Sequence, residues 1–143
     1  MNVAQILGNK GRDVVSVQPH RTLAEAIRTL GEKRIGAVVV TGADGNLLGI
    51  LSERDIIRAM AEGGAAALEH PVSRVMTGKV VTCRSETSTD ELMEIMTVGR
   101  FRHLPVMENG RIVGIVSIGD VVKHRVAEIE AESRAMRDYI AMA

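Results

Sequence analysis

Two short stretches of this chain hold residue types that could do chemistry at a spacing that matters: Ser52-Glu53-Arg54-Asp55 and Ser117-Ile118-Gly119-Asp120. A hydroxyl three residues ahead of an acid, at the point where a helix begins, is a capping box that satisfies the orphan backbone donors of the first turn. The same free N–H groups, with the positive end of the helix dipole, form an anion site. There a serine hydroxyl can bind phosphate, and a carboxylate one turn on can accept bonds from both hydroxyls of a ribose. Capping and ligand binding are compatible, and the residues alone leave both open.

The elements that position these corners come in duplicate. Gly49-Ile50-Leu51-Ser52-Glu53-Arg54-Asp55-Ile56-Ile57-Arg58 recurs as Gly114-Ile115-Val116-Ser117-Ile118-Gly119-Asp120-Val121-Val122-Lys123. An echo of this kind marks internal duplication. Upstream of the first corner, Val14 to Val17 predicts a short strand ended by Pro19. Thr22-Leu23-Ala24-Glu25 opens a helix with a capping box, with Leu23, Ala26, Ile27 and Leu30 on one face. Ile35 to Thr41 is apolar enough for a strand buried on both sides, and Gly42-Ala43-Asp44-Gly45 turns it into Leu47 to Leu51. A helix over Ile56 to Ala61 follows, then Gly63 to Ala67 and His70-Pro71 as a boundary with little packing.

The second unit repeats the order. Val72 to Met76 echoes the lead-in Val3 to Leu7, and Val80-Val81-Thr82-Cys83 echoes the first strand. Ser88-Thr89-Asp90-Glu91 predicts another capping box with Leu92, Ile95 and Met96 inward, and Arg100 to Val106 matches Arg34 to Val40. Asn109-Gly110 is a tighter turn than its counterpart. The expected fold is α/β of the α+β type: two β-α-β-β-α units packed face to face with pseudo-two-fold symmetry, since neither alone buries enough apolar surface. The expected divisions are 1–66 with the lead-in, 67–126, and a C-terminal helix over 127–143.

Composition removes whole classes of function. The 143 residues carry eighteen basic and eighteen acidic side chains, so no polyelectrolyte partner is implied. Phe101 and Tyr139 are the only aromatic residues, too few for the base-stacking platforms of single-stranded nucleic-acid binders. Gly8-Asn9-Lys10-Gly11 reads as a polar turn. The apolar run Ala37 to Val40 is too short to span a bilayer, and no signal peptide is expected. The single cysteine, Cys83, lies in an apolar run, fits a reducing cytoplasm, and reads as a small hydrophobe rather than a nucleophile. His20, His70, His103 and His124 lack metal-site spacing. The pairs Glu53/Asp55 and Asp90/Glu91 are first-turn acids that the helix dipole explains. No Walker or dinucleotide-fold glycine motif is present, and no catalytic constellation points to an enzyme.

Taken together, Gly-Ile-Leu-Ser-Glu-Arg-Asp, Gly-Ile-Val-Ser-Ile-Gly-Asp, Arg-Phe-Arg-His-Leu-Pro-Val and the paired unit starts resemble a tandem pair of cystathionine-beta-synthase (CBS) domains, the Bateman module. The resemblance covers Val3 to about Val126 and looks like the free-standing bacterial type. It implies a non-catalytic regulatory sensor that binds adenine nucleotides (AMP, ADP, ATP, and in some members S-adenosylmethionine or NAD(H)) in two clefts between the units. It assigns Asp55 and Asp120 to ribose and Ser52 and Ser117 to phosphate. Each pocket borrows from the sister unit, so Val81, Phe101, Arg102, His103 and Pro105 should close the Asp55 site. Val15, Ile35, Gly36 and Ala37 should close the Asp120 site. Arg54, Arg102 and His103 would make the first pocket basic, suited to more phosphate or a dinucleotide's pyrophosphate. The second would be nearly neutral, suited to a monophosphate. The first unit lacks the strand-ending proline that the second carries as Pro105.

From Val122 onward, Val122, Val126, Ile129, Ser133, Met136 and Ile140 recur at alternating four- and three-residue steps, a heptad seam. Such a seam either folds back on its own domain or pairs with a partner helix, and the resemblance favours a homodimer. The expected whole is a cytoplasmic dimer reporting energy or redox state to an unidentified regulated protein, with no nucleic acid and no membrane involved. The alternative is an interaction scaffold whose capping boxes are only capping boxes.

Overall fold

In the computed structural model, which describes residues 1–142, the chain begins with α1 (Val3–Lys10). The first unit follows as β1 (Ser16–Val17), α2 (Leu23–Lys33), β2 (Ala37–Thr41), β3 (Leu47–Ser52) and α3 (Glu53–Gly63). A 3-10 helix (Gly64–Glu69) and α4 (Val72–Val75) lead to the second unit: α5 (Thr89–Gly99), β4 (His103–Glu108), β5 (Arg111–Ser117) and α6 (Ile118–Met142). The mixed α/β architecture agrees with the duplicated pattern. In the first sheet β1 runs parallel to β2 and β2 antiparallel to β3, and in the second β4 pairs antiparallel with β5. Asn109 and Gly110 take positive φ, 51° and 75°, as a two-residue hairpin turn requires.

The second unit's first strand is shorter than its pattern predicts, and Pro105 is the reason. In the first unit the Val39 N–H donates to the Val15 carbonyl at 3.3 Å. The equivalent residues are Pro105 and Val81, and proline has no N–H to give. Only Cys83 still pairs, its N–H donating to the Pro105 carbonyl at 3.0 Å and its carbonyl accepting from Met107 at 2.9 Å. Pro105 does not end its strand either: β4 runs through it to Glu108, because the missing donor faces away from β5.

Helix starts follow the sequence with one simplification. Thr22 and Ser88 accept the N–H groups of Glu25 and Glu91 at 3.2 and 3.1 Å. Each is a plain N-cap rather than the predicted two-way box, and at α2 Glu25 turns instead toward Arg21, 3.5 Å away. Both α2 and α5 end on an arginine in the left-handed conformation, Arg34 (φ 54°) and Arg100 (φ 57°). A residue with a Cβ pays roughly 1–2 kcal/mol for that geometry.

Packing crosses the units over. The first core gathers Leu23, Ala26, Leu30, Val38, Val40 and Leu51 with Val72 of α4, and Ala67 joins them from the alanine-rich stretch expected to pack little. The second gathers Leu92, Met96, Leu104, Val106, Val116 and Val121 with Val3, Ile6 and Leu7 of α1. The lead-in that precedes the first unit in sequence therefore packs on the second unit, and the connector before the second packs on the first. Matching backbone bonds hold the two crossings: the Val3 N–H to the Thr87 carbonyl at 2.9 Å, and the Val72 N–H to the Arg21 carbonyl at 2.7 Å. Gly49 and Gly114 lie under the crossing segments. A Cβ on Gly49 would stand 2.8 Å from the Thr77 carbonyl oxygen, and one on Gly114 2.8 Å from Leu7 Cδ2.

No break separates the second unit from the C-terminal helix: α6 is continuous through 126/127 for 25 residues, about 37 Å. Only Val121 and His124 of it are buried. Val122, Val126, Ile129, Met136 and Ile140 stay exposed, so the seam does not fold back on its own domain.

Candidate functional site

The first Ser-x-x-Asp corner is assembled where β3 meets α3. Ser52 accepts the Asp55 N–H at 3.4 Å, and Asp55 Oδ2 accepts both the Ser52 N–H at 3.0 Å and the Ser52 hydroxyl at 3.1 Å. The capping reading is thus satisfied. The other carboxylate oxygen, Oδ1, accepts only the Thr77 hydroxyl, at 3.2 Å. Thr77 is held there by a two-way backbone pairing with Ile50, 3.0 and 2.9 Å.

This corner opens into a cleft of about 460 Å³ between the units. Of the residues expected here, the structure brings Ser52, Arg54, Asp55, Val81, Phe101, Arg102 and His103 to its walls. Pro105 is not among them; it is buried within β4 and acts through its missing donor. Reasoning from the corner residues missed Arg58, Thr77, Lys79 and Arg100, which also line the cleft. Thr77 and Lys79 were within reach: the echo of Val3 to Leu7 in Val72 to Met76, carried three residues further, sets Gly8-Asn9-Lys10 against Thr77-Gly78-Lys79. With Arg54, Arg58, Lys79, Arg100 and Arg102 around one carboxylate, the cleft is strongly cationic, and an aliphatic and aromatic wall of Val80, Val81 and Phe101 faces them.

His103 stands at the junction of the units, its ring 3.2 Å from where a Gly36 Cβ would lie. Burial lowers its pKa; Lys10 adds to this, Glu53 and Asp120 oppose it, and Arg102 adds again. The unfolded chain takes up a proton here near pH 6.5 while the folded chain still resists it, so the contribution of this group to stability falls on acidification through that pH. His103→Gln is expected to flatten the stability profile between about pH 5 and 7 in urea unfolding series, and an unchanged slope would refute the assignment.

The second corner closes differently. Ser117 and Asp120 form the same two-way box, Ser117 N–H to Oδ2 at 2.9 Å and Asp120 N–H to the serine hydroxyl at 3.1 Å. Asp120 Oδ2 also holds Lys10 Nζ at 2.6 Å, and the ammonium reaches the Ile115 carbonyl at 2.8 Å. Burial alone would raise the Asp120 pKa; the bonds from Lys10 and Ser117 outweigh it and hold the carboxyl below its usual value. A hollow of about 460 Å³ on the α1 and α6 side of this corner is lined by Ile6, Asn9, Lys10, Lys123, His124 and Ala127; its repeat counterpart is the hollow at Asp55, Arg58, Ala59, Glu62 and Val75, not the first cleft. Val15, Ile35, Gly36 and Ala37, the residues expected to close the Asp120 site, are not part of this outer hollow. Val15 and Ile35 pack on the first core, Ala37 is buried, and Gly36 lies against His103. The crossing of α1 brings Lys10 to Asp120, a cation that the expectation of a nearly neutral second pocket did not include.

A larger hollow of about 510 Å³ lies between β1, α2 and β2. Its one cation, Arg21, is already beside Glu25, and it lacks convergent groups. Among the described residues no group of His, Cys, Asp or Glu is placed to hold a metal ion, and no helix is long and apolar enough to cross a membrane. Burial pushes the Cys83 thiol up to about 11, so it stays protonated and unreactive.

Comparison with known proteins matches this architecture. A solved structure of a CBS-domain-containing protein from Agrobacterium tumefaciens superposes with a TM-score of 0.85 at 58% identity, covering 87% of this chain and 92% of that one. A CBS domain protein from Pyrobaculum aerophilum, solved in complex with AMP, gives 0.79 at 27% identity, with 93% and 99% covered. The Bacillus subtilis CBS domain-containing protein YhcV is 31% identical over 121 residues, 84% of each chain. Longer Arabidopsis thaliana CBS domain-containing proteins match at 35% identity, and the chain spans about 21% of their length. The family model of the CBS domain matches twice, at residues 5–62 and 72–127. Two strand-hairpin-helix units, each closed by the other's lead-in and each ending in a Ser-x-x-Asp corner, make this chain a member of the CBS-domain family, as a tandem pair.

Proposed function

We propose that this chain is a non-catalytic regulatory module that binds adenine nucleotides between its two CBS repeats and reports energy or redox state to a partner protein in the cytoplasm. The observation that carries the reading is the first cleft: a ribose-type carboxylate, a helix N-terminus, five cations and an apolar wall converge on one space between the repeats. A nucleoside fits this chemistry in one orientation. Its ribose hydroxyls replace Thr77 at Asp55 Oδ1, adenine lies on Val81 and Phe101, and the phosphates run toward Ser52, Arg54, Arg100 and Arg102. The density of cations favours ATP or a dinucleotide such as NAD(H) over AMP. The AMP complex of the Pyrobaculum aerophilum relative supports the ligand class.

Calorimetric titration of AMP, ATP and NADH into nucleotide-stripped protein tests this, beside Asp55→Asn and Asp120→Asn. ATP binding lost selectively in Asp55→Asn supports the reading, and absence of any binding removes it. One observation favours a ligand-free scaffold instead: the capping boxes of both corners are complete within the chain. Under that reading both substitutions change stability only.

The exposed seam of α6 supports a homodimer through this helix. Truncation after His124 is expected to halve the mass in analytical ultracentrifugation, and an unchanged mass would place the dimer contact elsewhere.

A further inference from the structure

The two corners are equivalent by repeat, yet they are satisfied by different chemistry. In the first, Thr77 meets the Ile50 carbonyl with its N–H, 2.9 Å, and Asp55 with its hydroxyl, 3.2 Å. In the second, one ammonium does both: Lys10 Nζ lies 2.8 Å from the Ile115 carbonyl and 2.6 Å from Asp120. Ile50 corresponds to Ile115 and Asp55 to Asp120. The repeat counterpart of Lys10 is Lys79, which lines the first cleft without pairing to Asp55. A neutral hydroxyl therefore guards one carboxylate and a cation guards the other.

We infer that Lys10 makes the Asp120 corner selective for phosphorylated nucleosides, excluding neutral ones that the Asp55 corner admits. The inference rests on the nucleotide-binding reading of the clefts. A ribose reaching Asp55 displaces only a hydroxyl, which water can satisfy. A ribose reaching Asp120 must release an ammonium whose side chain is one-third exposed, at a corner where Lys123 adds a second positive charge one turn along α6. A neutral nucleoside offers that ammonium nothing in exchange for the carboxylate. A phosphate offers it a new anion, and the lysine stem is long and flexible enough to follow it. The residue closes α1, and its partly exposed side chain faces solvent on one side.

Titration of AMP and adenosine into Asp55→Asn, which silences the first corner, isolates the second. AMP is expected to bind at least about tenfold more tightly than adenosine, the effect of one charge-assisted contact. Adding Lys10→Met should collapse that ratio by admitting adenosine and weakening AMP, and Lys10→Arg should restore it. Equal binding of the two ligands to Asp55→Asn, or a ratio unmoved by Lys10→Met, overturns the role of Lys10. AMP binding to the wild type but not to Asp55→Asn also overturns it, because the second corner is then closed to all nucleotides. If AMP and ATP bind neither protein, the nucleotide reading itself fails and this inference fails with it.

Discussion

Asp55→Asn is expected to lower ATP affinity at the first cleft by about 100-fold while costing the fold no more than about 1 kcal/mol. The two effects separate because the two carboxylate oxygens do different work. Oδ2 accepts the N–H and hydroxyl of Ser52 and so completes the cap of α3. An asparagine carbonyl placed there keeps the bond to the Ser52 N–H. Oδ1, which now accepts only from Thr77, becomes an amide nitrogen that can no longer accept a ribose hydroxyl, and the negative charge is gone. Two bonds to a charged acceptor, each worth roughly 1.5 kcal/mol, give the fold-change. Isothermal calorimetry for affinity and urea unfolding for stability read the two arms. Equal ATP affinity in the variant and the wild type would take the ribose away from Asp55. A stability loss of several kcal/mol with no change in affinity would make the corner structural.

Leu7→Ala is expected to destabilise the second unit by about 2–5 kcal/mol while sparing the first, although Leu7 precedes the first unit in sequence. The side chain is buried among Leu104, Val116 and Val121, directly over Gly114. Its truncation leaves a cavity that glycine beneath cannot fill and β5 cannot collapse into. Native-state hydrogen exchange separates the outcomes: amides of β4 and β5 should lose protection while those of β2 and β3 keep it. Loss of protection in β2 and β3 first would show that α1 supports the first unit. Uniform loss would show that the two cores open as one.

Much of this protein is legible without a structure because duplication makes local signals check one another. The Ser-x-x-Asp corners, the apolar faces of α2 and α5 and the two hairpins follow from short-range pattern, whereas the cross-unit walls of the first cleft were implied only by the family resemblance. Capping, turn chemistry and periodicity act within a few residues, so they can be read one stretch at a time. The trimmed strand before Arg84 has a cause visible as a residue type, Pro105, but it acts through pairing between strands distant in sequence.

What tertiary structure alone decided is which core each lead-in serves. Val3 to Lys10 and Val72 to Lys79 are apolar segments of like pattern, and either could have covered the unit that follows it. The exchange is settled by long-range packing, where Leu7 fits over Gly114 and Met76 over Gly49. That exchange delivers Lys10 to Asp120 and Thr77 with Lys79 to the Asp55 cleft, so the charge of both pockets depends on contacts made across the chain. Patterning specifies that a segment must be buried; it carries no information about which of two equivalent surfaces will bury it.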